Sequence, residues 1–215
     1  EYRKVDTENV FVGVGSDEAI DLLFRIFCSP GKDKVITNPP TYGMYKVSAN
    51  INNIKVDEVL LTPDFQLQTE QILNRVTDFT KLIFVCSPNN PTANDMDRKD
   101  IIYLLENYDG LVVVDEAYID FSEQAGFAEE VKNYPNLVVL QTLSKAFGLA
   151  GIRLGIAIAN PDIINYMMNV KAPYNVNKLT SQAALNGFEN LESVQKNIGS
   201  INSEKNRIVA ELENL

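Results

Sequence analysis

At 215 residues the chain is long enough for one large domain, or for a large domain and part of a second. Hydrophobic residues make up 45% and charged residues 22%, an ordinary globular balance, and the formal charge of −10 disfavours non-specific attraction to nucleic-acid phosphates or anionic lipid. Histidine is absent, which excludes Ser-His-Asp hydrolysis, His-paired cysteine nucleophiles and most zinc sites, and no apolar run approaches the ~20 residues of a membrane helix.

From Val10 onward, β-rich runs alternate with segments of helical period, the pattern of an α/β domain with a mostly parallel sheet covered on both faces by helices. The first run, Val10 to Val12, leads into GVGSDE (13–18). Here Gly13 and Gly15 make a turn and Ser16 is placed to cap a helix from Asp17 to Phe27, leaving backbone N–H groups that favour a phosphate. A dinucleotide fingerprint fits less well, because Glu18 stands where the third glycine belongs. That helix gathers Ile20, Leu23, Phe24 and Phe27 on one face, which is core.

The next strands are expected at Val35–Thr37 and Ile54–Val59. Between them PPTYG (39–43) reads as a turn whose Tyr42 ring can stack on an aromatic ligand. A helix at Thr69–Asn74 precedes the strand Leu82–Cys86 and the loop Asn89, Asn90, Pro91, Thr92, where an asparagine amide can donate to a ligand. A helix at Asp97–Asn107 leads to the strand Leu111–Asp115. A carboxylate as deep as Asp115 must meet a cation or give up its charge, and Tyr118 follows three residues on. The strand Leu137–Leu140 ends in Thr142, Ser144 and Lys145. A lysine just past a buried strand can be desolvated into a nucleophilic amine, and two hydroxyls with Arg153 suit a phosphate.

A last strand, Leu154–Ala159, and a helix, Pro161–Val170, are followed after Pro173 by helical pattern alone, Leu179–Phe188 and Leu191–Leu215. Cys28 and Cys86 adjoin apolar runs without a CxxC pair, so both are expected as core thiols, a usage that fits a reducing cytoplasm. The sequence begins without Met and stops within a helical pattern, so it is expected to belong to a longer protein.

In open α/β sheets ligands bind beyond the carboxyl ends of the strands, where these clusters fall. Taken in order, PPTYGMYKVSA (39–49), VCSPNNPT (85–92), VVDEAYIDF (113–121) and TLSKAFGLAGIRLG (142–155) resemble fold type I pyridoxal 5′-phosphate (PLP) dependent aminotransferases, the histidinol-phosphate aminotransferase branch in particular. The resemblance covers nearly the whole chain. It implies a three-layer α/β/α large domain over residues 1–190 lacking its N-terminal arm, with 191–215 a helix leading towards a smaller C-terminal domain. It implies catalytic roles for Lys145, Asp115 and Tyr118: Lys145 holds the cofactor and carries the proton, Asp115 faces the ring nitrogen, and Tyr118 with Asn90 holds the phenolic oxygen. Tyr42 would stack on the ring, and Gly15, Ser16, Asp17, Ser144 and Arg153, with Thr142 as a weaker contact, would surround the phosphate. No metal is implied.

The implied reaction transfers an amino group from L-histidinol phosphate to 2-oxoglutarate in histidine biosynthesis, in a cytoplasmic homodimer. Its partners are the small-molecule amino donor and 2-oxo acid, with no nucleic acid and no membrane. An aromatic aminotransferase, a threonine-phosphate decarboxylase or a non-catalytic PLP-sensing effector domain would use many of the same residues. Where related enzymes commonly read NPTG, this chain has Ala93 in place of the glycine.

Overall fold

A computed structural model describes residues 2–214; Glu1 and Leu215, the two ends of the expected domain ranges, lie outside the described residues. Seven strands form one sheet: β1 (Val10–Val14), β2 (Lys34–Thr37), β3 (Lys55–Glu58), β4 (Thr80–Cys86), β5 (Leu111–Asp115), β6 (Leu137–Thr142) and β7 (Leu154–Ala159). Their order is β1-β7-β6-β5-β4-β2-β3. The pairs β2–β3, β2–β4, β4–β5 and β5–β6 are parallel, while β7 runs antiparallel to both β1 and β6. The mostly parallel expectation holds, and the reversed β7 has a consequence: its amino end lies beside the carboxyl ends of the other strands.

Side chains alternate across each strand, so β4 sends Leu82, Phe84 and Cys86 to one face and Ile83 and Val85 to the other. The first face packs under α1 (Gly15–Phe27), α2 (Met44–Ile51) and the later helix α5 (Pro161–Val170), with Ile20, Leu23, Phe24, Tyr45 and Met167 fully enclosed. The second packs under α3 (Thr69–Arg75) and α4 (Arg98–Asn107) through Ile72, Ile101 and Leu104. Helices on both faces explain why β5 and β6 read as unbroken apolar runs. A third cluster, Leu143, Phe147, Leu154, Ala184 and Val194, lies beneath α6 (Lys178–Glu189) and α7 (Leu191–Leu212).

Residues 44–51, to which the sequence reading gave no element, form α2: Tyr45, Ser48 and Ala49 recur at helical spacing and are buried together. Helix α1 begins at Gly15, not Asp17, with Val14 at the cap position and no side-chain cap, so Ser16 sits in the first turn. The role assigned to Ser16 falls to Glu18, whose Oε2 accepts the Val14 N–H at 2.6 Å. Glu18, which stands where a dinucleotide fingerprint would have its third glycine, thus closes the turn.

The approach of α1 to β7 depends on Gly155. A Cβ there would lie 2.0 Å from the Ser16 nitrogen and 2.1 Å from the Gly15 carbonyl carbon. Gly15 itself adopts φ +76° and donates its N–H to the Arg153 carbonyl at 3.0 Å. Both cysteines are buried and free. No helix of the described residues is long and apolar enough to cross a membrane.

Candidate active site

The carboxyl ends of β1, β4, β5 and β6, the amino end of β7 and the loop after β2 meet around one cleft. Ser16, Asp17, Tyr42, Asn90, Asp115, Tyr118, Thr142, Ser144, Lys145 and Arg153 all line it, together with Cys86, Ala117 and Ala150. Ten of the eleven residues singled out from sequence thus reach one cavity, and the eleventh, Gly15, starts the helix beside it.

Asp115 is the last residue of β5, is 2% exposed, and lies opposite Cys86 in the β4–β5 register. Its Oδ2 accepts the Tyr45 hydroxyl at 2.7 Å and its Oδ1 accepts the Ala117 N–H at 3.1 Å. Burial pushes its pKa up to about 6, against the Tyr45 and Ala117 hydrogen bonds and the charge of Lys145, which favour the carboxylate, while the Asp17 charge adds to the rise. At neutral pH the carboxyl is mostly ionised and short of counter-charge, the condition in which a buried acid best receives a cationic N–H.

Lys145 stands in the turn after β6, with its amine 5.0 Å from the centre of the Tyr118 ring. It is exposed, and among the described residues it forms no ion pair. The sequence reading expected desolvation to activate this lysine; in the single chain the turn projects the side chain over the open cleft, and burial does not act on it.

Thr142 is spent on the backbone. Its hydroxyl lies 2.9 Å from Ser144 Oγ and 3.2 Å from the Leu154 carbonyl, and accepts the Ser144 N–H at 3.1 Å. It shapes the turn and leaves Ser144 facing the cleft. Tyr42 donates its hydroxyl to Asp17 Oδ1 at 3.2 Å, and burial raises its phenol to about 12. Arg153 adopts a left-handed backbone, φ 54°, which swings its guanidinium to 3.6 Å from Asp17 Oδ2 at the start of α1. Both partners of that pair are exposed, so it orients more than it stabilises.

The two adjacent asparagines divide their work. Asn89 is buried and binds the Pro40 carbonyl at 2.9 Å and Thr92 Oγ1 at 2.6 Å, while Thr41 donates to its Oδ1 at 3.0 Å. Asn90 faces the cleft. Ala93 takes φ 62°, the conformation that a glycine would adopt freely, so the alanine preserves the loop path at a steric cost.

The sequence reading missed Tyr45 and Glu116. Tyr45 is fully enclosed, with its ring stacked on Phe84 at 4.8 Å. Glu116 points away from the cleft, taking the Phe127 N–H at 2.5 Å and the Gln141 amide at 2.8 Å; Arg3 in turn donates to Gln141 Oε1 at 2.7 Å. The helical spacing of Tyr45, Ser48 and Ala49 was a usable signal for the first. The Glu116 partners are scattered along the chain and gave none.

A three-layer α/β domain with a lysine, a buried carboxylate and a helix start around one cleft is the construction of fold type I aminotransferases, and solved structures of that kind superimpose on it. A histidinol-phosphate aminotransferase from Clostridium acetobutylicum aligns with a TM-score of 0.89 at 25% identity, covering 99% of this chain and 64% of that one. A Thermus thermophilus aspartate aminotransferase variant aligns with a TM-score of 0.85 at 25% identity, covering 94% and 58%. The family model described as aminotransferase class I and II matches residues 1–215, and the chain belongs to that family. Curated relatives include histidinol-phosphate aminotransferases of Parabacteroides distasonis, 50% identical over 206 residues, and Flavobacterium johnsoniae, 52% identical over 200 residues. The alignments cover 96% and 93% of this chain but 60% and 57% of those proteins, so the chain spans about 60% of the length of the relatives it matches.

Proposed function

We propose that this chain is the cofactor-binding portion of a PLP-dependent aminotransferase that uses L-histidinol phosphate as amino donor and 2-oxoglutarate as acceptor. The observation that carries the reading is the convergence of Lys145, Asp115, Tyr118 and Asn90 on one cleft at the helix start of α1. The choice of donor is supported by relatives at about half identity, whose name is histidinol-phosphate aminotransferase. An aromatic aminotransferase, a threonine-phosphate decarboxylase or a PLP-sensing effector domain would share the cleft without sharing those relatives.

The donor set fits the cofactor chemically. Asp115 offers an ionisable carboxylate to a ring N–H, Tyr118 and Asn90 offer polar tips to a phenolic oxygen, and Tyr42 offers an aromatic face. The first-turn N–H groups of Ser16 and Asp17, with Ser144 and Arg153, suit a phosphate dianion at the positive end of the helix dipole, and Gly15, whose own N–H is held by the Arg153 carbonyl, shapes the turn beside it. When bound, PLP supplies the aldehyde that captures amines and a protonated ring that accepts an electron pair from the substrate carbon.

The chain's own residues do the rest. Asp115 would hold positive charge at the ring nitrogen. Tyr118 bounds one side of the space open to the Lys145 amine, which lies 5.0 Å from the centre of its ring. Lys145, on a flexible stem, would hold the cofactor through its amine and, when free, would serve as the general base that holds or moves a proton at Nζ. A site without histidine needs such a base.

In this reading residues 1–190 are the cofactor domain and α7 leads out of it, in keeping with a helix that buries only Val194. The full-length protein is proposed to be a cytoplasmic homodimer acting on small molecules only. The test is glutamate formation from 2-oxoglutarate by the full-length protein with L-histidinol phosphate against aromatic amino donors, in wild type and Lys145→Ala. Preference for the phosphate donor and loss of at least about a thousandfold in the variant are expected, since a covalent anchor and proton carrier are removed together. Undiminished turnover in Lys145→Ala would refute the reading.

A further inference from the structure

We propose that Tyr45 is a positioning residue whose buried phenol holds Asp115 as an ionised acceptor facing the cofactor cleft. The inference rests on the proposed PLP site and adds a residue that does not itself line the cleft.

The geometry aims the phenol at Asp115, with the Cys86 thiol also beside it. Its ring is fully enclosed, stacked on Phe84 at 4.8 Å and met edge-on by Tyr42 at 5.5 Å, so the hydroxyl cannot swing aside. A phenol has a single proton, and this one is given to Asp115 Oδ2 at 2.7 Å. Asp115 Oδ1 takes the Ala117 N–H at 3.1 Å. Each carboxylate oxygen thus has one protein donor and keeps acceptor capacity for the cleft.

That arrangement matches the carboxylate and mismatches the acid. A protonated Asp115 would bring a third proton to two oxygens that already accept, and would turn a donor towards the ring N–H it should receive. Burial pulls towards that neutral state, and the Tyr45 hydroxyl opposes it. The phenol does not trade roles with the acid, because burial beside Asp115 holds its own proton far more tightly than usual. Packing alone accounts for the ring but not for the hydroxyl, which a phenylalanine would lack at the cost of no more than an oxygen-sized gap.

The test uses the full-length protein with Tyr45→Phe and two readouts. One is the titration midpoint of the Asp115 carboxyl in cofactor-free protein, followed by infrared difference against Asp115→Asn. The other is affinity for pyridoxal 5′-phosphate at neutral pH by absorbance titration. Loss of a hydrogen bond to a charged group should raise the midpoint by about one pH unit and weaken affinity about tenfold. A 3-fluorotyrosine installed at position 45 keeps the ring, makes the phenol a stronger donor, and should move the midpoint the other way. That arm decides the matter if Tyr45→Phe does not fold. A midpoint and affinity that stay at wild-type values overturn the role of Tyr45. If Asp115→Asn and Lys145→Ala also bind like wild type, the cofactor site itself is wrong, a distinguishable failure.

Discussion

Gly155→Ala tests whether the phosphate cradle depends on backbone contact between α1 and β7. The added methyl would sit 2.0 Å from the Ser16 nitrogen, more than an ångström inside ordinary van der Waals distance, and 2.6 Å from the Gly15 oxygen. Neither side yields easily: β7 is hydrogen-bonded between β1 and β6, and Gly15 is tied to the Arg153 carbonyl at 3.0 Å. Overpacking typically costs ~1–3 kcal/mol, and atoms fixed on both sides place this case near the upper end, about 3 kcal/mol. For a unit of this size that lowers the melting temperature by roughly 6–12 °C. The displaced first turn should also bind inorganic phosphate and PLP more weakly, measured by calorimetry on protein that remains folded. Gly199→Ala in α7 is the control, since a Cβ there meets nothing and a helical glycine-to-alanine change should stabilise by roughly 0.5–1 kcal/mol. If both variants melt together with wild type, the contact carries no strain and the cradle argument fails.

Two further perturbations probe the surroundings of the site. Burial lifts Glu116 from 4.5 to about 7, against the Phe127 N–H, Gln141 and the Arg3 and Arg98 charges. Between those values the folded chain holds a proton that the unfolded chain has released, so this stability is present at low pH and lost as pH rises through the window, by up to about 3 kcal/mol. Glu116→Gln should therefore lose less stability than wild type between about pH 5 and about pH 8 in urea unfolding; equal losses would show that Glu116 does not titrate there. Ala93→Gly relieves a left-handed φ of 62° but adds unfolded-state freedom, so a net gain of about 0.5 kcal/mol is expected, and a clear loss would mean that the Ala93 methyl packs usefully.

The strands were legible because a sheet covered on both faces leaves unbroken apolar runs: β4, β5 and β6 differ from expectation by at most two residues at an end. The site was legible for a related reason. Parallel strands deliver the residue after each run to the same edge, so Asp115, Ser144 and Lys145 were marked by position before any geometry was known. What escaped was whatever depended on partners rather than position. Helix α2 carries the polar Ser48 on its buried face, which blurred its period, and with the helix went Tyr45. The cap at α1 shifted because Glu18 reached back to Val14, an interaction that a serine-first rule does not anticipate.

Lys145 and Asp115 show how local sequence sets opposite environments at the ends of neighbouring strands. Asp115 ends β5 inside the sheet, under α2, where burial raises its pKa and the Tyr45 hydroxyl and Ala117 N–H oppose the rise. Lys145 lies three residues beyond the end of β6, in a turn shaped by the Thr142 hydroxyl, and reaches open space over Tyr118. A buried acid with incomplete counter-charge and an exposed amine at the same edge are complementary demands, one for a fixed cation and one for a carbonyl. A single ligand that carries a ring N–H and an aldehyde on opposite sides of an aromatic ring meets both at once.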